Sequence, residues 1–332
     1  MEITFINVGY GESILITAGD PEREEGQFVM LIDGGSLMDF EYTGESGRIR
    51  SYNFLKKSGI THIDLLVFSH VHEDHTSGLI PIIENIPVRQ FWTSIRLSPE
   101  HVGKRIEPTD SLTETNRKAL FSINDYSRLM KELENRDITI LDGIKPDYFR
   151  AGDLAIDILG PDPDYKKTVE ASLGRIFTAG SAEALDNAIS ETTESINNAS
   201  LILRLKYQGR TVLLCGDTNA KGFRHVFQKD PSLLRAKVYK IGHHGQPDSV
   251  SKELVRAVDP SVIVCCASND HRSNSSSETT FETIREAMKN KPVTYLFHDG
   301  LYMEKWNPDT SPRNGIRLHI DENKIDWETI MP

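Results

Sequence analysis

Apolar residues in this chain gather in short runs rather than in long helical stripes. Such runs occupy 3–8, 28–32, 63–68, 88–92, 138–141, 154–159, 211–215, 237–241, 261–266, 293–297 and 316–320. Runs of this length, bounded by Gly, Asn, Asp and Pro, predict strands. Between them, 79–85, 251–258 and 279–289 carry helical spacing. The last two apolar runs predict closing edge strands, with His298-Asp299-Gly300 as the turn between them.

Two polar segments break this rhythm. In 96–136, Leu120, Ile123, Tyr126, Leu129, Met130 and Leu133 recur at spacings of three and four, the pattern of an amphipathic helix that must cover something. The second, 164–195, follows the turn residues Gly160-Pro161-Asp162-Pro163 and is rich in acidic and small residues. It is longer than a strand connection needs, which predicts a lid, a binding loop or a disordered stretch. His101 lies in the first segment without a strand before it and reads as a surface residue.

Chemistry concentrates after the run at 63–68, where His70-Val71-His72-Glu73-Asp74-His75 sets three histidines and an aspartate, four metal-capable side chains besides Glu73, within six residues. If the strand runs on one more step, residues 70 and 72 point the same way and two imidazoles grip one ion. Asp74 and His75 fall where the chain turns and can reach a second. Three further apolar runs end in polar residues of the same kind: Asp33-Gly34-Gly35, Gly216-Asp217 and Gly242-His243-His244-Gly245. Adjacent side chains on an extended segment point in opposite directions, so His243 and His244 are expected to do different jobs.

The run at 70–75 resembles the HxHxDH signature of the metallo-β-lactamase superfamily, and the three polar strand ends resemble its other motifs. Within that superfamily the chain is most similar to the hydrolase domain of ComEC-type competence DNA-uptake proteins and to related phosphodiesterases, including a phosphorylcholine esterase. The stretch 3–13, with Val8-Gly9-Tyr10-Gly11-Glu12, looks like that group's VGQGD turn, with Tyr10 and Glu12 as departures; Asn197-Asn198-Ala199-Ser200 looks like its NxxS motif. The resemblance implies an α/β fold, a four-layer αββα sandwich carrying two polar, partly helical insertions at about 96–136 and 164–195. It implies one ion on His70, His72 and Asp217, and a second on Asp74, His75, Asp217 and His244, with Asp217 bridging. Asp33 would orient a ligand histidine from behind, and Asp74 and His243 would be catalytic, His243 meeting the substrate phosphate or protonating a leaving group. His271, Arg272, Asn198 and Ser200 are the candidate substrate contacts. The extra ligand histidine of many superfamily members has no counterpart here except His101.

Imidazoles and carboxylates without thiolates suit two divalent ions, Zn²⁺ foremost and also Mn²⁺. Ions roughly 3.5–4 Å apart lower the pKa of a shared water from about 15.7 towards 7 and neutralise charge on phosphoryl oxygens. The three cysteines stand outside every ligand motif and read as small buried residues. Their odd number, the absence of a basic leader and the lack of an apolar run near 18 residues predict a cytoplasmic chain with no membrane span. Motifs spread from Asp33 to His244 predict one catalytic domain over 1–332.

A net charge of −11 weighs against tight unaided binding to duplex nucleic acid. Two ions restore four positive charges locally, and Arg48, Arg50, Lys56 and Lys57 could guide a strand. The expectation is a dinuclear phosphodiesterase, a nuclease with DNA favoured. The alternatives are an enzyme on a small phosphodiester, of cyclic nucleotide or phosphocholine type, closed under the insertions, and an effector subunit of a multi-component bacterial defence system that docks a protein partner through them.

Overall fold

A computed structural model describes residues 1–142, 148–289, 291–300, 303 and 305–332. Its strands are β1 (Glu2–Ile6), β2 (Ile14–Gly19), β3 (Gln27–Ile32), β4 (Ile63–Phe68), β5 (Val88–Thr93), β6 (Thr139–Asp142), β7 (Tyr148–Ala151), β8 (Leu154–Gly160), β9 (Ile202–Tyr207), β10 (Arg210–Leu214), β11 (Val238–Lys240), β12 (Val262–Cys265), β13 (Thr294–Phe297), β14 (Gly315–Ile320) and β15 (Ile325–Ile330). The helices are α1 (Ser51–Lys57), α2 (Glu73–Thr76), α3 (Leu79–Asn85), α4 (Glu114–Asn135), α5 (Pro163–Thr178), α6 (Ala182–Ser195), α7 (Arg224–Lys229), α8 (Lys252–Val258) and α9 (Glu278–Met288).

The strands form two sheets, ordered β15-β14-β1-β2-β3-β4-β5-β6 and β13-β12-β11-β10-β9-β8-β7. Each is antiparallel in one half and parallel in the other: β3 to β6 run parallel in the first, β10 to β13 in the second. Parallel neighbours need crossovers, and α1 to α4 and α7 to α9 supply them.

Burial follows from this layering. On β4, Leu65 and Val67 face the space between the sheets while Leu66 and Phe68 face the helices, so the strand is apolar on both faces from Leu65 onward; Asp64 before it is buried and accepts from Val29 N at 2.8 Å. Between the sheets, Phe5, Met30 and Trp92 meet Leu154, Leu203, Val212 and Val264. Helices cover both outer faces, with Tyr126, Leu129, Leu173 and Ile189 on the first sheet and Phe223, Leu254 and Phe281 on the second. The result is an αββα sandwich.

The segment 164–195 is neither a lid nor a loop. Asp162 caps α5 by accepting from Asp164 N, with Pro163 in the first turn, and Ser181 caps α6 by accepting from Ala184 N. Val169, Leu173 and Ile176 on α5 and Leu185, Ala188 and Ile189 on α6 are buried in the same apolar cluster as α4. Both insertions therefore thicken one helical layer. Asn116 of α4 ties them together, donating to Asp186 Oδ1 at 2.8 Å and Ser190 Oγ at 2.8 Å.

Four strands have no counterpart among the predicted runs, β2, β7, β9 and β15. Because β15 pairs along β14, the run at 316–320 is an interior strand rather than an edge.

If α6 is part of the core, Ile189→Ala lowers unfolding free energy by about 2–5 kcal/mol in urea denaturation. A midpoint equal to the wild type would return 164–195 to a loosely held cover.

Candidate metal centre

The candidate residues all leave strands at their carboxyl ends, where open parallel sheets place their ligands. β3 delivers Asp33, β4 delivers 69–75, β10 delivers Asp217 and β11 delivers His243 and His244. Close backbone approach lets these ends converge. A Cβ on Gly78 would stand 2.0 Å from Gly34 O, so only glycines let the 70–78 segment pack on the turn after β3.

Asp33 adopts a left-handed conformation (φ 56°) and is fully buried. Its carboxylate accepts from Ser69 N at 2.8 Å, from Ser69 Oγ at 2.6 Å and from His75 Nδ1 at 2.7 Å. With Nδ1 so engaged, His75 Nε2 faces Asp217 Oδ2 at 3.4 Å and Asp74 Oδ2 at 3.7 Å. His244 is fixed in the same way: Nδ1 donates to the Cys266 carbonyl at 2.7 Å, and Nε2 lies 3.0 Å from Asp217 Oδ2 and 3.1 Å from Asp74 Oδ2. His70 Nε2 stands 4.0 Å from Asp217 Oδ2 and 3.0 Å from His72 Nδ1. β4 itself stops at Phe68, so the two imidazoles meet across an irregular segment rather than along a strand.

Two groups of side chains can each hold a metal ion, Asp74-His75-Asp217-His244 and His70-His72-Asp217, with the donor atoms of each within 4.8 Å of one another. The donors fit such an ion. His75 Nε2 and His244 Nε2 are buried without a hydrogen bond, a condition folded proteins avoid unless something else satisfies the atoms. Burial holds His70 and His72 below the usual imidazole pKa, leaving them neutral donors. Burial pulls on His75 and His244 as well, but Asp217 and Asp74 outweigh it, raising His244 to about 9 and His75 well above its ordinary value. Those carboxylates call for positive charge, which a divalent cation supplies with release of the protons.

His243 and His244 do not lie on an extended segment. Both take left-handed conformations (φ 46° and 49°) in a tight turn, and the turn separates their rings. His244 points inward, whereas His243 is partly exposed, with Nδ1 2.8 Å from Asp248 Oδ1 and Nε2 3.1 Å from Asn197 Nδ2.

The candidate substrate contacts sort differently. Asn198 and Ser200 are buried and hold the turn that carries Asp217, Asn198 Oδ1 accepting from Asn219 N at 3.1 Å and Ser200 Oγ from Asp217 N at 3.2 Å. His271 is exposed in the loop after β12. Arg272 is paired to Glu41 and to Asp270, with its guanidinium 4.9 Å from the Phe40 ring centre and 5.8 Å from that of Tyr10. Arg48 is almost fully buried between Glu41 and Asp299 and is not free to guide a strand. His101 is not a surface residue: it is buried and stacks on Phe177 of α5 at 4.9 Å. The helices of 164–195 supply that cover, and His101 belongs to neither ligand group.

Three residues at the centre are absent from the predicted set. Tyr10 packs its ring 4.4 Å from His244, and its hydroxyl accepts from Gln246 Nε2 at 3.2 Å. Glu12 and Lys240 form a fully buried ion pair beneath Asp217. A lysine within an otherwise apolar strand, and an acid within a glycine turn, were the available signals.

The model of the metallo-beta-lactamase superfamily matches residues 9–267, most of the chain. The chain belongs to that superfamily. By family and by its candidate centre it is a metal-dependent hydrolase. It is 24% identical over 281 residues to ComE operon protein 3 of Bacillus subtilis (strain 168); the match covers 82% of this chain and 29% of that protein, so the chain spans under a third of its relative's length. Among solved structures it is similar to CmlA, a diiron beta-hydroxylase from Streptomyces venezuelae (TM-score 0.48, 10% identity, 89% of this chain and 52% of that one). It is likewise similar to Zn(2+)-bound PqqB from Methylobacterium extorquens (TM-score 0.47, 10% identity, 96% and 100%). A diphosphatase from the PhnP family matches with TM-score 0.43, 9% identity, 97% and 98%. Among the described residues no helix is long and apolar enough to cross a membrane.

Asp33→Asn should weaken metal binding by about 10–100-fold, read by chelator competition, because His75 loses its orienting partner. Complete loss of metal would make Asp33 a ligand. His101→Ala should keep the wild-type metal content and lose stability, about 1 kcal/mol or more from the broken stack; a lost ion would place His101 in the centre.

Proposed function

We propose that this chain is a dinuclear phosphodiesterase whose substrate is a nucleic acid strand, single-stranded DNA foremost. The observation that carries the reading is the clustering of three histidine side chains around one carboxylate oxygen, Asp217 Oδ2, beside an exposed stacking surface. Two divalent ions, Zn²⁺ or Mn²⁺, bound by the two ligand groups would supply Lewis acidity towards phosphoryl oxygens and activate water at neutral pH.

The chain's own residues do the rest. Asp33 keeps His75 in one tautomer, and the Cys266 carbonyl does the same for His244. Asp74 keeps part of its side chain open to solvent, which would let a phosphate reach the second ligand group beside it. His243 stands outside both ligand groups, its Nδ1 donating to Asp248 and its Nε2 accepting from Asn197 Nδ2; as a general acid it would pass a proton from Nε2 to the leaving oxygen once the substrate takes the place of the Asn197 amide. Asn198 and Ser200 are positioning residues for the Asp217 turn.

The strand substrate is supported by what borders the centre. Tyr10 lies against His244, Arg272 lies over Tyr10 and Phe40, and Phe40 is 58% exposed. Aromatic and guanidinium faces in sequence accept stacked bases without regard to sequence. A compact phosphodiester is a second reading, supported by a cavity of about 460 Å³ beside this surface, lined by Phe40, Arg48, Asn269, Arg272 and Asp299. The insertions, packed on their own apolar faces, do not roof it.

The test is hydrolysis of single-stranded DNA, duplex DNA, RNA and bis-p-nitrophenyl phosphate with Zn²⁺ or Mn²⁺. Asp217→Ala should abolish all activity and lose at least one ion, whereas His243→Ala should keep both ions and slow turnover by about 10²–10⁴-fold. Phe40→Ala should weaken single-stranded DNA binding by roughly 1–3 kcal/mol and leave bis-p-nitrophenyl phosphate untouched. Equal effects on both substrates would favour the compact phosphodiester.

A further inference from the structure

Glu12 and Lys240 come from opposite sheets. Glu12 lies in the turn between β1 and β2, Lys240 ends β11, and their side chains meet with no exposure to solvent. A buried ion pair is a poor device for stability, since apolar residues of similar volume commonly do as well or better. Its placement is therefore informative.

Each partner touches one half of the candidate centre. Glu12 N donates to the Asp74 carbonyl at 3.2 Å, and its own carbonyl accepts from Gly35 N at 2.9 Å, so the residue is part of the bed under the 70–75 segment. The bed is tight, because a Cβ on Gly11 would come within 2.5 Å of the same Asp74 carbonyl. On the other side, Lys240 Nζ donates to the Gly216 carbonyl at 2.9 Å and stands 3.8 Å from Asp217 Oδ1. The Asp217 carboxylate is thus divided: its Oδ2 faces His70, His75 and His244, and its Oδ1 faces the lysine.

From this geometry we infer that the Glu12–Lys240 pair is a strut that sets the distance between the two halves of the metal centre and turns Asp217 so that one oxygen, Oδ2, is offered to both ions. Lys240 and Glu12 are positioning residues that never touch the ions. The ammonium attracts Oδ1, which restricts rotation of the carboxylate about its Cβ–Cγ bond. The glutamate balances that ammonium, so the centre does not face an unneutralised cation that would repel divalent ions. The inference rests on the reading of Asp217 as the shared ligand.

Two variants test it through metal binding, measured by chelator competition and metal analysis, with melting of the metal-free protein alongside. Glu12→Leu/Lys240→Met replaces the pair by apolar residues; it should fold with an apo melting temperature at or above the wild type and bind the ions about 10–100-fold more weakly. Glu12→Gln keeps shape and leaves the ammonium unbalanced; it too should bind the ions more weakly. Wild-type affinity with two ions in either folded variant would overturn the strut, and so would failure of both variants to fold, which would assign the pair to the fold alone. Asp217→Asn separates the two claims: if it still loads two ions normally, the reading of Asp217 has failed, whatever Lys240 does.

Discussion

One buried carboxylate oxygen, Asp217 Oδ2, has three imidazoles converging on it, at 3.0, 3.4 and 4.0 Å. Those imidazoles come from both sheets, so the site exists only when the sandwich is closed. The architecture is arranged to satisfy that constraint. Parallel strands end together at one rim, Gly34 and Gly78 let backbones approach where a side chain would collide, and Asp33 and the Cys266 carbonyl fix the rings of His75 and His244. Of the two sheets, the first supplies 70–75 and the second supplies Asp217 and His244.

Such a concentration of polar groups is costly unless each is satisfied. Many are, by backbone and hydroxyl partners; His75 Nε2 and His244 Nε2, which have none, both face Asp217 Oδ2, where a cation belongs. The same logic extends outwards. Arg48, Glu41, Arg272 and Asp299 form a partly buried ion-pair network that fixes the loops around the opening and leaves Phe40 exposed beside it. For a chain of net charge −11, attraction of an anionic substrate has to come from the centre itself more than from surface arginines.

Much of this was legible in the order of residues. Strands buried on both faces announce themselves as apolar runs, as at 65–68, and polar residues at their ends stand out against them. The amphipathic face of α4 was equally plain. The helices α5 and α6 carried a weaker form of the same signal, Val169, Leu173 and Ile176 then Leu185 and Ile189, diluted by acidic and small residues that also suit a loop. His101 was misplaced because its cover, Phe177, comes from that same stretch. β15 alternates weakly and lies at an edge with Trp327 46% exposed, so it lacked the apolar density of the interior strands. The turn at His243 and His244 depends on left-handed backbone that non-glycine residues rarely announce, and Glu12 and Lys240 become partners only across the closed sandwich, 228 residues apart by subtraction of their numbers.

The central claim is that two ions share Asp217. Anomalous X-ray diffraction from crystals grown with Zn²⁺ or Mn²⁺ addresses it directly. The account predicts two peaks roughly 3.5–4 Å apart, one beside His70 and His72 and the other beside Asp74, His75 and His244, with Asp217 Oδ2 between them. A single peak at full metal loading, or two peaks of which only one touches Asp217, would contradict it.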